Sequence, residues 1–80
     1  MFEPCLVKKQ DDRAYLKAFG NHLKMTRKRL GFSQEKLAYE AEIELRQLGR
    51  IERGEINTGI LSVKIIASTL KIDAKELFEF

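Results

Sequence analysis

Arg46 and Arg50 stand four residues apart in a stretch whose apolar residues Ile43, Leu48 and Ile51 recur at helical spacing. Residues at that separation share one side of a helix, so the two guanidinium groups form a narrow cationic strip opposite the apolar residues. Such a strip suits the edges of bases in the major groove. A guanidinium spans the O6 and N7 of guanine with two hydrogen bonds, worth roughly 1 to 3 kcal/mol of discrimination. A helix entering the groove offers its amino-terminal residues to the bases. That selects Leu45, Arg46, Gln47 and Arg50 as base readers, with Arg46 foremost. Leu45 either touches a thymine methyl or covers the edge of the core, and exposed helical charge is the alternative to base reading for the two arginines.

These residues need a scaffold, and the preceding residues supply one. Ser33 is placed to cap a helix carrying Leu37, Ala38 and Ala41, and Phe32 with Leu37 occupies the positions of a hydrophobic staple across its start. The next helix runs from Leu45 to Arg53 and closes at Gly54, where a glycine suits a left-handed terminus. The turn between is too short to do anything but cross the two helices. Its chemistry is unusual: Glu44 is a poor cap for the second helix. Gly49 costs roughly 1 kcal/mol inside a helix, which implies close approach to DNA or to another helix. Gln34 begins the earlier helix, where unpaired N–H groups can receive a phosphate.

In order and register, Ser33-Gln34, Leu37-Ala38, Ile51-Glu52-Arg53-Gly54, Asn57, Leu70-Lys71-Ile72-Asp73 and Leu77-Phe78 resemble the XRE-type helix-turn-helix family of Cro-like and phage-repressor DNA-binding domains. The likeness runs from about Phe19 to Phe78. It implies phosphate contacts from Ser33 and Gln34 at one phosphate and from Arg53 and Asn57 around another. Capping explains Ser33 equally, and Asn57 is also a turn residue. The resemblance further implies a salt bridge from Arg27 to Glu52, expected here in a sheltered setting. Small stand-alone members include controller proteins of restriction-modification systems, and phage-type repressors and antitoxins are equally compatible. Glu42 departs from a common glycine and Thr58 from the usual proline, which places both the turn geometry and the start of the fourth helix in question.

The chain around this motif reads as all-α, a compact five-helix repressor-like domain over residues 11–80 preceded by a flexible arm over residues 1–10. Leu16, Phe19, Leu23 and Leu30 mark one face of a first helix that ends before Gly31, with Gly20 as a point of bending or division. A fourth helix from near Thr58 turns Ile60, Val63, Ile66, Ala67 and Leu70 inward. A fifth begins at Asp73, which with Glu76 resembles a capping box, stapled by Ile72 and Leu77.

Composition sets limits. Eighty residues allow one small domain, and 44% hydrophobic content supplies one core. The net charge is only +3, yet Lys8 to Arg29 holds eight Lys or Arg against Asp11 and Asp12, an imbalance suited to a polyanion. No membrane span or signal-peptide core is legible, so the expectation is a cytoplasmic protein without a membrane partner. Cys5 is alone and His22 has no cysteine cluster, so neither a disulfide nor a metal is expected, and no cofactor. His22 and Met25 read as ordinary helix residues, and Tyr15 and Tyr39 as half-buried rings with wet hydroxyls.

The leading expectation is a sequence-specific transcriptional regulator binding double-stranded DNA as a homodimer on a two-fold symmetric operator. Leu77, Phe78 and Phe80 are the expected dimer contact, with core burial as the alternative for the first two. An antitoxin-like protein-interaction module with weak or no DNA binding is the second reading. No nucleophile has a base partner and no cleft is expected, which argues against an enzyme and against a small-molecule substrate.

Overall fold

Leu16, Phe19, Leu23 and Thr26 repeat every three or four residues, and they line the buried side of α1, Lys9–Arg29, the longest helix of the chain. The computed structural model describes residues 9–80, so the arm expected over residues 1–10 falls mostly outside the described residues. Lys9 and Gln10 are already helical, two residues ahead of the expected start at Asp11. Gly20 neither bends nor divides α1. It lets the end of another helix come close: a Cβ built there would lie 2.3 Å from the Ile51 carbonyl oxygen and 2.5 Å from that of Glu52. Leu30 follows the last turn and is exposed rather than part of the buried face.

Three further helices follow, α2 Gln34–Ala41, α3 Leu45–Glu52 and α4 Ile60–Leu70, before a closing 3₁₀ turn, Ala74–Phe78. The four α-helices among the described residues all stop in the same way. After α1, Gly31 N–H bonds to the Lys28 carbonyl and Phe32 N–H to that of Arg27; the corresponding pairs after α3 are Gly54 to Ile51 and Glu55 to Arg50. The same two bonds follow α2 and α4, where Glu42 at φ 59° and Lys71 at φ 62° occupy the left-handed position. Hydrogen-bonding of the last carbonyls thus proceeds even without glycine, at a steric cost of about 1 kcal/mol or more for each such residue.

The core gathers Phe19, Leu23, Leu37, Ala38, Ala41, Leu48, Ile51, Val63, Ile66, Ala67, Leu70 and Leu77, with Phe32, Ile43, Ile56 and Ile72 packed around it. Through it α1 packs on α3 and on the 3₁₀ turn, while α2 packs on α3 and α4. Two expectations fail at the carboxy-terminal end. The fourth helix starts at Ile60 because Gly59 takes the extended cap conformation, and Ile60 consequently points out, 83% exposed. The fifth element is a 3₁₀ turn rather than an α-helix. Glu76 N–H bonds to the Asp73 backbone carbonyl at 2.9 Å, and Asp73 makes no side-chain cap. Among the described residues no helix is long and apolar enough to cross a membrane.

Candidate nucleic-acid interface

Ser33 starts α2 by accepting the Lys36 N–H on its side-chain oxygen at 2.9 Å, which satisfies one of the donors left free at a helix start. Phe32, just before it, packs against the core, and Lys36 Nζ sits 5.0 Å from the centre of its ring. At the other end of α2 the left-handed Glu42 turns the chain into α3, so the expected cost at this position is real and the turn keeps its geometry. Glu44 precedes α3 in an extended conformation with no side-chain cap.

Helix α3 is divided sharply. Leu48, Gly49, Ile51 and Glu52 are buried, Gln47 is half-buried, and Leu45, Arg46 and Arg50 are exposed. Arg46, Gln47 and Arg50 line one shallow depression together with Glu44 and Ile56. The two guanidinium-bearing residues therefore border the same surface, free of the core.

The far end of α3 is anchored by a buried ion pair. Arg27 Nε donates to Glu52 Oε2 at 2.7 Å and Nη2 to Oε1 at 3.1 Å, with the two side chains 6% and 2% exposed. Arg27 Nη1 also donates to the Phe32 carbonyl at 2.9 Å, and Gln34 Nε2 to Glu52 Oε1 at 3.0 Å. One guanidinium thus ties α1, the start of α2 and the end of α3 together. Arg27 is consequently not part of the exposed cationic surface that the Lys8–Arg29 count suggests. Gln34 commits its side-chain amide to Glu52, and its backbone N–H stands in the first turn of α2.

Arg53 lies on the surface. Its Nε donates to Glu55 Oε2 at 2.7 Å and its Nη2 to Oε1 at 3.4 Å, with both side chains half exposed or more. The hydrogen bond from Arg53, assisted by its charge and that of Arg50, holds the Glu55 carboxyl below its ordinary value. At Gly49 the nearest group is the Arg53 side chain, with a Cβ there lying 3.1 Å from Nη1, rather than another helix. Asn57 is exposed and borders Asp12, Tyr15 and Leu16 of α1.

Leu77 is fully enclosed, so this expected dimer contact is a core residue, reached by the 3₁₀ turn swinging it under α1. Phe78 and Phe80 remain 43% and 49% exposed. Phe78 stacks near Phe19 at 5.0 Å and Phe80 near Tyr15 at 5.2 Å. Ile60, Leu61 and Ile65 on α4 are exposed as well, and Ile60 shares with Tyr15 and Phe78 the rim of an apolar groove. Sequence reasoning missed these α4 residues. The signal was present, since Ile60-Leu61 and Ile65-Ile66 put more apolar residues on α4 than one face can bury. It also missed Glu55 as the partner of Arg53. His22 pins α1 to the 3₁₀ turn through Nε2 and the Glu76 carbonyl, 2.8 Å apart. Tyr39 is 84% exposed rather than half-buried because it faces away from the packed side of α2, which carries Leu37, Ala38 and Ala41.

Comparison with known proteins agrees with this fold. The helix-turn-helix family HTH_3 matches residues 23–77. The HTH-type transcriptional regulator SlrR of Bacillus subtilis is 34% identical over 61 residues, 75% of this chain and 40% of SlrR, so the chain spans about two fifths of that relative's length. Among solved structures, the restriction-modification controller protein C.AhdI of Aeromonas hydrophila superposes with a TM-score of 0.82 at 35% identity, covering 85% of this chain and 99% of that one. An HTH_3 family transcriptional regulator from Vibrio cholerae gives 0.78 at 33% identity, over 84% of this chain and 38% of its own.

Proposed function

This chain belongs to the XRE-type HTH_3 helix-turn-helix family, and from that premise we propose that it is a sequence-specific DNA-binding regulator of transcription that acts as a homodimer on a two-fold symmetric operator. The observation that carries the reading is the division of α3: Arg46 and Arg50 stand exposed on one surface while Leu48, Ile51 and Glu52 on the other side are held by the core. Arg46, at the amino-terminal end, reads a guanine; Arg50, one turn on, reads or flanks the next base, with Gln47 and Leu45 beside them. Ser33, the N–H at Gln34, Arg53 and Asn57 receive phosphates on either side. The roles stated for SlrR and for the transcriptional regulator from Vibrio cholerae support transcription control as the setting.

The dimer is argued from surface. One recognition helix reads few base pairs, and two copies about 34 Å apart along one face of the duplex multiply the specificity. Phe78, Phe80 and Ile60, gathered around Tyr15 and taken in place of Leu77, form the apolar area that a second copy covers.

Selection of bound sequences from a random duplex pool tests the proposal. It returns inverted repeats with guanines in each half-site. Arg46→Ala loses preference at one base pair per half-site, and Arg53→Ala weakens all sequences alike. Recovery of no enriched sequence, with no loss of duplex binding as salt is raised, overturns the DNA reading.

A further inference from the structure

We infer that Glu55 is an internal stand-in for a DNA phosphate: in the free protein it occupies the donor edge of Arg53, and duplex must displace it before Arg53 bonds a backbone phosphate. The inference rests on the DNA-binding reading above and adds to it a residue that sets affinity and salt dependence without touching a base.

The arrangement follows from how α3 ends. Residues two apart on a helix do not face each other. Arg53 and Glu55 meet because Gly54, at φ 72°, reverses the chain, so that Glu55 N–H bonds back to the Arg50 carbonyl at 2.9 Å. This backbone bond sets the direction of the chain at Glu55, whose carboxylate then accepts from Arg53. A Cβ at Gly54 would fall 2.6 Å from the Lys17 Cα, so the reversal is packed directly against α1. On the other side Gly49 has no side chain, and the Arg53 guanidinium lies over it. A carboxylate presents the same two-oxygen fork to a guanidinium as a phosphate does. Nε and Nη2 are the donors committed to Glu55, and they are the pair a phosphate needs for a two-bond contact. Both side chains are well exposed, so the exchange requires no unfolding.

The consequence appears in counterion release. An arginine already neutralised by Glu55 contributes little to the salt slope; one that is released adds about 0.9 to it. The test compares wild type, Glu55→Gln, Arg53→Ala and the double variant on a random-sequence duplex across a series of salt concentrations. Glu55→Gln binds roughly two- to fivefold tighter at low salt, as expected for removal of an exposed competing pair, with a slope steeper by about 0.9. In the Arg53→Ala background the same substitution changes neither. Equal or weaker binding by Glu55→Gln overturns the inference, because Glu55 is then a bystander or an orienting partner. A gain that persists without Arg53 overturns it as well, since the effect is then general repulsion. Absence of duplex binding by both wild type and Glu55→Gln removes the DNA reading and this inference with it. Salt-dependent binding by wild type with no change on substitution removes the inference alone.

Discussion

The two ends of α3 are held very differently. At its carboxy-terminal end Glu52 is 2% exposed and bound by Arg27 and Gln34, Gly20 of α1 lets the last carbonyls approach, and Gly54 closes the helix with a left-handed turn. At its amino-terminal end Glu44 offers no side-chain cap, and the turn ahead is carried by Glu42 in a conformation that costs a non-glycine residue energy. Anchoring is therefore concentrated away from the residues proposed to meet bases. The difference teaches that the side-chain ties holding α3 are concentrated at its far end, whereas the turn before Leu45 and Arg46 is held through the backbone and the packing of Ile43. Consecutive residues make the point locally. Glu52 faces inward to a buried pair, whereas Arg53, next in the chain, faces water and pairs with Glu55.

Breaking the anchored end gives the largest expected effect. Glu52→Ala strands a buried guanidinium and lowers stability by about 3 to 5 kcal/mol, read as a fall in the urea midpoint. An unchanged midpoint sinks the view that this pair fixes α3. Next in size is Gly20→Ala, whose added methyl collides with the Ile51 and Glu52 carbonyls. It costs roughly 1 to 3 kcal/mol by overpacking, although alanine is the better helix former, and a gain in thermal stability contradicts the close approach. The loose end responds in the opposite direction. Glu42→Gly relieves the left-handed turn and raises stability by up to about 1 kcal/mol, the relief being partly offset by the flexibility of glycine in the unfolded chain. A lower midpoint for that variant shows the turn to be unstrained.

Legibility from sequence varied with the range of the interaction. The cap at Ser33, the staple at Phe32 and the buried residues of α2 and α3 follow from local spacing and stand in the structure as read. The pairing of Arg27 with Glu52 came from resemblance, not from spacing, since 25 residues separate the partners. The fourth helix was misplaced by two residues because Gly59, rather than Thr58, adopts the cap conformation, and that choice displaced Ile60 from core to surface. Leu77 and Phe78 are adjacent and similar in sequence, yet one is enclosed and the other exposed. The tight 3₁₀ turn sends them to different sides.

The order of residues alone determined an all-α scaffold, read with five helices where the structure has four and a 3₁₀ turn, with a crossing pair at its centre and a cationic strip on the second of them, because helical periodicity and capping are local properties of the chain. Tertiary structure decided which charges are free. Arg27 is spent on Glu52, Arg53 is engaged by Glu55, and Arg46 and Arg50 make no comparable side-chain pairing among the described residues. The physical reason is that a charge finds its partner through space, and the distances that select it arise only when the helix ends have been brought together.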